Sequence, residues 1–136
     1  MIIRSKEKTT FNGETMHMYV LDTNALTVTV NDPELYPMGL VTSFSTDQIK
    51  YHLHYAAEYH PDRLRKLVNN GEILNYLLDL EIAVEEALER QVNKWKANDQ
   101  EYLNTVAAGD MDKAKGLENI LRLCAREPIF AAMVYV

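Results

Sequence analysis

FSTDQIKYHLHYAAEYHPDRLRKLVNNGEILNYLLDLEIAVEEALERQVNKW, running from Phe44 to Trp95, is the stretch that decides the fold. Ser45-Thr46-Asp47-Gln48 fits a capping box, in which a hydroxyl and the side chain three residues on satisfy each other's backbone N–H groups, and Phe44 and Ile49 occupy the positions of a hydrophobic staple. A helix starts here. At about 100° per residue, Ile49, Leu53, Ala56, Ala57 and His60 gather on one side, while Tyr51, Tyr55 and Glu58 fall opposite. His60-Pro61 ends that helix, Pro61 suits the first position of a second one through Val68, and Asn69-Asn70-Gly71 supplies a left-handed stop. A third helix is expected from about Glu72 to Trp95. Ile73, Leu77, Leu80, Val84, Leu88 and Trp95 form its main apolar stripe, and Leu74, Leu78 and Ile82 a second, so it needs two neighbours.

Working outward, a shorter helix around Gln100–Ala107 should stop at Gly109, and Asp110 can cap a last helix that buries Met111, Ala114, Leu117, Leu121 and Cys124. Pro128 should break or kink it. The apolar residues Ile129 to Val136 are expected to be buried, as continued helix or as an added strand. Upstream, Glu14–Leu21 and Ala25–Val30 alternate in strand fashion around the turn residues Asp22-Thr23-Asn24, which reads as a hairpin. Asn31 to Gly39 is a turn-rich connector containing Pro33 and Pro37. The expected architecture is α+β and predominantly α. A single domain over residues 1–136 would comprise a hairpin and connector (1–42) and a helical region (43–136), the hairpin packed on a bundle of three to five helices.

Composition narrows the function classes. The 136 residues are 47% hydrophobic and 25% charged, enough to bury a core without staples. One cysteine excludes an internal disulfide, and without a signal peptide or long apolar run the expected compartment is the cytoplasm, with no membrane partner. A net charge of −6 argues against general phosphate-backbone binding. Between Glu72 and Arg90 lie six acids (Glu72, Asp79, Glu81, Glu85, Glu86 and Glu89) against one base, a local charge of −5.

Candidate chemical groups are few. His52, His54 and His60, with Asp62 nearby and His17 elsewhere, have the composition of a metal cluster, but His52 and His54 stand about 200° apart on a helix, whereas zinc-binding pairs recur at i,i+3 or i,i+4. They read as rim, cap or surface histidines, and neither metal nor cofactor is expected; a metal-dependent enzyme is the third-ranked alternative. Glu81, Glu85 and Glu89 lack the Glu-x-x-His element of a di-metal bundle and read as a solvated face. No nucleophile elbow or phosphate-cradling Gly-rich loop is present. Cys124 reads as an inert buried thiol, and Met16, Met18, Met111 and Met133 as core filler. Lys50, Arg63, Arg65 and Lys66 form the one basic group suited to nucleic acid, the second-ranked alternative. Tyr51 and Tyr55, i,i+4 neighbours beside Glu58, suit a protein-binding face.

Several of these motifs have a family likeness. Pro37-Met38-Gly39, the helix Tyr51-His52-Leu53-His54-Tyr55-Ala56-Ala57-Glu58-Tyr59-His60, the break Leu67-Val68-Asn69-Asn70-Gly71-Glu72-Ile73-Leu74-Asn75-Tyr76-Leu77 and the closing Ala132-Met133-Val134-Tyr135 resemble the TnpV-like small proteins encoded by bacterial transposons and conjugative elements. The resemblance spans roughly Tyr19 to Tyr135. It implies carriage on a mobile element and transfers no catalytic residue. Where relatives tend to carry Arg and Lys in the first helix, this chain has His52, His54, Tyr55, Ala56 and Ala57, leaving an acidic surface instead.

The expectation is a non-enzymatic interaction module, dimeric through the long helix. Its partner would be a host or element-encoded protein, and its action inhibition or modulation of a nucleic-acid-processing or defence protein in the manner of an anti-CRISPR. Asp79, Glu85, Glu86 and Glu89 would occupy the partner's basic groove.

Overall fold

A computed structural model describes residues 1–136 and gives six strands followed by five helices. The strands are β1 (Ile2–Arg4), β2 (Lys8–Phe11), β3 (Glu14–His17), β4 (Tyr19–Asp22), β5 (Thr27–Val30) and β6 (Leu40–Ser43). The helices are α1 (Asp47–Tyr59), α2 (Pro61–Asn69), α3 (Ile73–Asn98), α4 (Gln100–Ala107) and α5 (Met111–Met133). With 58% of residues helical and 17% in strands, the fold is α+β and mostly helical, as expected. The chain divides into two compact units, Met1–Glu81 with Val134–Val136, and Ile82–Met133.

In the first unit, β1, β4, β5 and β6 form an antiparallel sheet in the order β1-β4-β5-β6, while β2 and β3 pair separately. Ile3 sits opposite Leu21, and Leu21 opposite Val28, so one cross-strand row turns inward. It packs with Leu53, Leu64, Val68, Ile73 and Leu77 of the helices into one core, and α2 lies against β1 and β4.

The expected hairpin is only half right. Glu14–Leu21 is not one strand: it breaks at Met18, and β3 pairs with β2 through Asn12 and Gly13, both at positive φ (52° and 80°). Asn-Gly is the residue pair a tight hairpin turn demands, but its flanks, Lys8-Thr9-Thr10 and Glu14-Thr15, lack the apolar alternation that marks a strand. The expected turn does join β4 to β5, where Asp22 Oδ1 accepts from the N–H groups of Asn24 and Ala25. Those bonds, the Ala25 one foremost, hold the Asp22 carboxyl below its ordinary pKa. The last residues before the helical region form β6 on β5 rather than more connector.

The α1 cap differs from the capping box. Thr46 is the N-cap with no side-chain cap bond, and its hydroxyl donates instead to Glu81 Oε2 at 2.7 Å. A tertiary partner has outcompeted the local one. Phe44 and Ile49 are both buried, as the staple required. His60 is not on the core face: it is the exposed C-cap.

The stop after α2 is a Schellman arrangement, with Glu72 N–H reaching Leu67 C=O at 2.9 Å and Gly71 N–H reaching Val68 C=O at 3.1 Å. Gly71 has φ +71°, and a Cβ there would lie 2.8 Å from the Tyr19 ring. No other residue satisfies both demands.

The second unit holds the rest of α3 with α4 and α5, and α4 packs along α5. Asp99 caps α4 by accepting from Tyr102 N–H at 2.8 Å, and Asp110 caps α5 by accepting from Lys113 N–H at 3.2 Å. Val84, Ala87, Leu88 and Val92 are buried along α3, but Leu78 and Ile82 of the expected second stripe are exposed. Pro128 does not break α5; the helix continues to Met133, although the proline offers Cys124 C=O no N–H. Because a helix turns about 100° per residue, that continuation buries only part of the apolar ending. Phe130 and Val134 are buried, whereas Ala131, Ala132, Tyr135 and Val136 are exposed. The same geometry corrects two further expectations. The inward stripe of α5 runs through Ala114, Ala125 and Phe130, which turns Cys124 outward, and Met111, expected in the core, is 63% exposed. No helix is long and apolar enough to cross a membrane.

Gly71→Ala should destabilise the chain by about 1–3 kcal/mol, from the left-handed φ and the Tyr19 clash together. A urea titration checks this as a lowered midpoint at unchanged slope.

Candidate protein-interaction surface

The site is organised by a histidine that was expected at a rim, a cap or the surface and lies in the core instead. His52 is fully buried on α1, with Nδ1 2.7 Å from Val134 C=O and Nε2 2.7 Å from the Tyr76 hydroxyl of α3. A carbonyl can only accept, so Nδ1 carries the proton; Nε2 is then the acceptor for Tyr76 O–H. The neutral ring with its proton on Nδ1 satisfies both nitrogens at once. Burial, the largest influence, lowers its pKa below the ordinary histidine value; the Val134 bond opposes this, and the charges of Arg63 and His60 add to the lowering.

The carbonyl that His52 holds belongs to the residue that brings the chain back to the first unit after α5. Val134 is buried, and Arg63 Nη2 donates to the main-chain oxygen of Val136 at 2.5 Å. Between these two tethers, Tyr135 lies against Tyr55 edge-on (centroids 5.9 Å, 64°) and against Tyr51 (6.5 Å). Tyr55 in turn packs on Tyr59 at 4.8 Å and on His60 at 5.7 Å. The result is a contiguous patch of four tyrosines and a histidine. Tyr59 and Tyr135 remain 60% and 43% exposed, and Glu58 beside them is exposed.

Tyr51 and Tyr55 are therefore brought together as expected, but half-buried under the C-terminal segment rather than bare. Tyr59 and Tyr135 were missed. The first was legible, since Tyr51, Tyr55 and Tyr59 repeat at i,i+4; the second arrives from a distant part of the chain, and no local pattern announces it.

The charged candidates are thinner than their sequence density suggests. Asp79 is exposed in the first unit, and Glu85, Glu86 and Glu89 are exposed in the second. Glu85 is engaged by Arg122, whose Nη2 meets both carboxylate oxygens at 2.7 and 2.8 Å. Glu86 and Glu89 keep their charge outside any ion pair. In the basic group, Arg65 pairs with Asp62 at 2.6 Å and Arg63 is held by Val136, which leaves Lys50 and Lys66 as exposed cations.

The other histidines stay apart. His54 is exposed, His60 caps α1, and His17 Nδ1 binds Ser5 C=O at 2.7 Å; no three His, Cys, Asp or Glu side chains are grouped to hold a metal ion. A hollow of about 240 Å³ in the second unit is lined by Glu89, Asn93, Lys96, Glu118, Asn119 and Arg122. Its two acids and two bases balance, and Lys96 already pairs with Glu118 at 3.4 Å. No protein-family model matches the chain, and comparison with curated proteins and with solved structures finds no match.

Acid should weaken this fold with a sign set by His52. Its folded pKa lies below the unfolded one, so the unfolded chain takes the proton first. The stabilisation from neutral His52 is complete above about pH 6.5 and is lost as pH falls toward the depressed folded pKa. Urea midpoints should fall on going from neutral to mildly acidic buffer, and fall less steeply in His52→Gln; an equal fall in both proteins would contradict this.

Proposed function

We propose that the chain is a non-enzymatic protein-binding module, and the observation that carries this reading is the partly exposed tyrosine patch of Tyr51, Tyr55, Tyr59 and Tyr135. Tyrosine presents a large, stiff apolar area with a hydrogen-bonding tip, so ordering it for a partner loses little side-chain entropy. The rings are already positioned by one another and by the tethered C-terminal segment. Preorganisation of that kind lowers the entropy cost of binding.

The finer reading joins this patch to the acidic helix and to the resemblance to TnpV-like proteins. In it, the module belongs to a bacterial mobile genetic element, acts in the cytoplasm, and inhibits or modulates a host nucleic-acid-processing or defence protein in the manner of an anti-CRISPR. Glu86 and Glu89 supply negative charge that speeds encounter with a basic groove. Glu85, turned to Arg122, contributes less than its sequence position suggested. Direct nucleic-acid binding loses support because Arg63 and Arg65 are both engaged within the fold.

Capture of partners from nuclease-treated bacterial extract tests the proposal. Bound proteins should be nucleic-acid binders released by competing duplex, and Tyr59→Ala/Tyr135→Ala should weaken capture by at least about tenfold while thermal stability holds. Glu86→Lys/Glu89→Lys should slow association. Undiminished capture by the tyrosine variant, or recovery of nucleic acid alone, would overturn the reading.

A further inference from the structure

The outward face of α5 contains a glycine that the fold of its own chain does not explain. Gly116 lies inside the helix, where glycine is among the least favourable residues, and a Cβ built there would meet nothing within 4 Å. It closes no turn, and its φ is not in the left-handed region. One and two helical turns on stand Ile120 and Leu123, 56% and 65% exposed. Lys113, Gly116, Ile120, Leu123 and Glu127 recur at alternating steps of three and four, the spacing that keeps a single stripe along a helix facing one partner. All five are exposed, and neither Lys113 nor Glu127 has an ion-pair partner within the chain.

We infer that this stripe is the contact between two copies of the chain, packed antiparallel about a two-fold axis beside Ile120. The reason is self-complementarity. With the axis there, Ile120 meets Ile120 of the second copy, Leu123 projects over the bare backbone of Gly116, and Lys113 falls opposite Glu127. Ile120 meets its own copy once on the axis, and the Leu123–Gly116 and Lys113–Glu127 contacts each occur twice, as a two-fold interface requires. A parallel pair would instead set lysine against lysine and glutamate against glutamate. A glycine facing a leucine lets two helix backbones approach closely, which gives the missing side chain a purpose that nothing inside the chain provides.

The long helix is the weaker candidate for self-association. Beyond exposed Ile82, its outward row runs into Glu85, Glu86 and Glu89, so a second copy laid there would oppose carboxylate to carboxylate. The α5 contact goes beyond the partner-binding proposal and does not rest on it, because it is tested on the purified chain with nothing added.

Sedimentation equilibrium and thermal melting of the full chain and four variants make the test. Wild type should show a concentration-dependent monomer–dimer equilibrium. Gly116→Gln supplies a better helix former at an open position, so it should raise the melting temperature of the dilute monomer while weakening the dimer more than about tenfold. Lys113→Glu and Glu127→Lys should each weaken it, and the double exchange Lys113→Glu/Glu127→Lys should restore it, since the attractive pairs re-form with their signs reversed. A wild-type monomer at every concentration overturns the inference, as does a Gly116→Gln dimer of undiminished affinity. Failure of the double exchange to restore association would mean that the stripe faces something other than an antiparallel second copy.

Discussion

The neutral imidazole of His52, bonded on one side to a carbonyl at the far end of the chain and on the other to Tyr76, is the interaction on which the first unit depends. The chain leaves that unit at Glu81 and returns at Val134, and the histidine spans a sequence separation of 82 residues. Burial of the Val134 side chain contributes about 2 kcal/mol, so bond and burial act together in holding the returning segment. Removing the imidazole would leave the buried Val134 carbonyl without its donor, a penalty beyond the loss of the bond itself.

That constraint also explains why the tyrosine patch exists. Tyr51, Tyr55 and Tyr59 lie along one side of α1, but a row of rings on a single helix is open on its flank. Tyr135 closes the flank because its neighbours on both sides are fixed, Val134 by His52 and Val136 by Arg63. The side chains that could have carried other functions are drawn into the fold: two of the four basic residues hold a main-chain oxygen or a carboxylate, and Glu85 holds Arg122. Among the groups left at the surface are the tyrosine patch in the first unit and Glu86 and Glu89 in the second.

How much was legible in the sequence follows from whether the deciding contact was local. The bounds of α2, α3 and α4, the stop at Gly71 and the cap at Asp110 depend on neighbours within a few positions, and all were readable. The Ser45–Gln48 capping box was a misreading: the N-cap is Thr46, whose hydroxyl donates to Glu81, thirty-five residues away. The β2–β3 hairpin was missed because its polar strands lack the alternation by which strands are recognised, although Asn12-Gly13 was there to be seen. Helical angles correctly set His52 and His54 on different sides of α1, yet could not say which of the two pointed inward. That depended on Tyr76 and Val134, and hence on the tertiary structure.

The ring of His52 is the most direct place to look. Nitrogen-resolved NMR of the labelled imidazole should show the proton on Nδ1, Nε2 as an unprotonated acceptor, and titration at a pH below the exposed-imidazole value of about 6.5. A proton on Nε2, or titration at or above that value, would contradict a buried neutral histidine holding Val134.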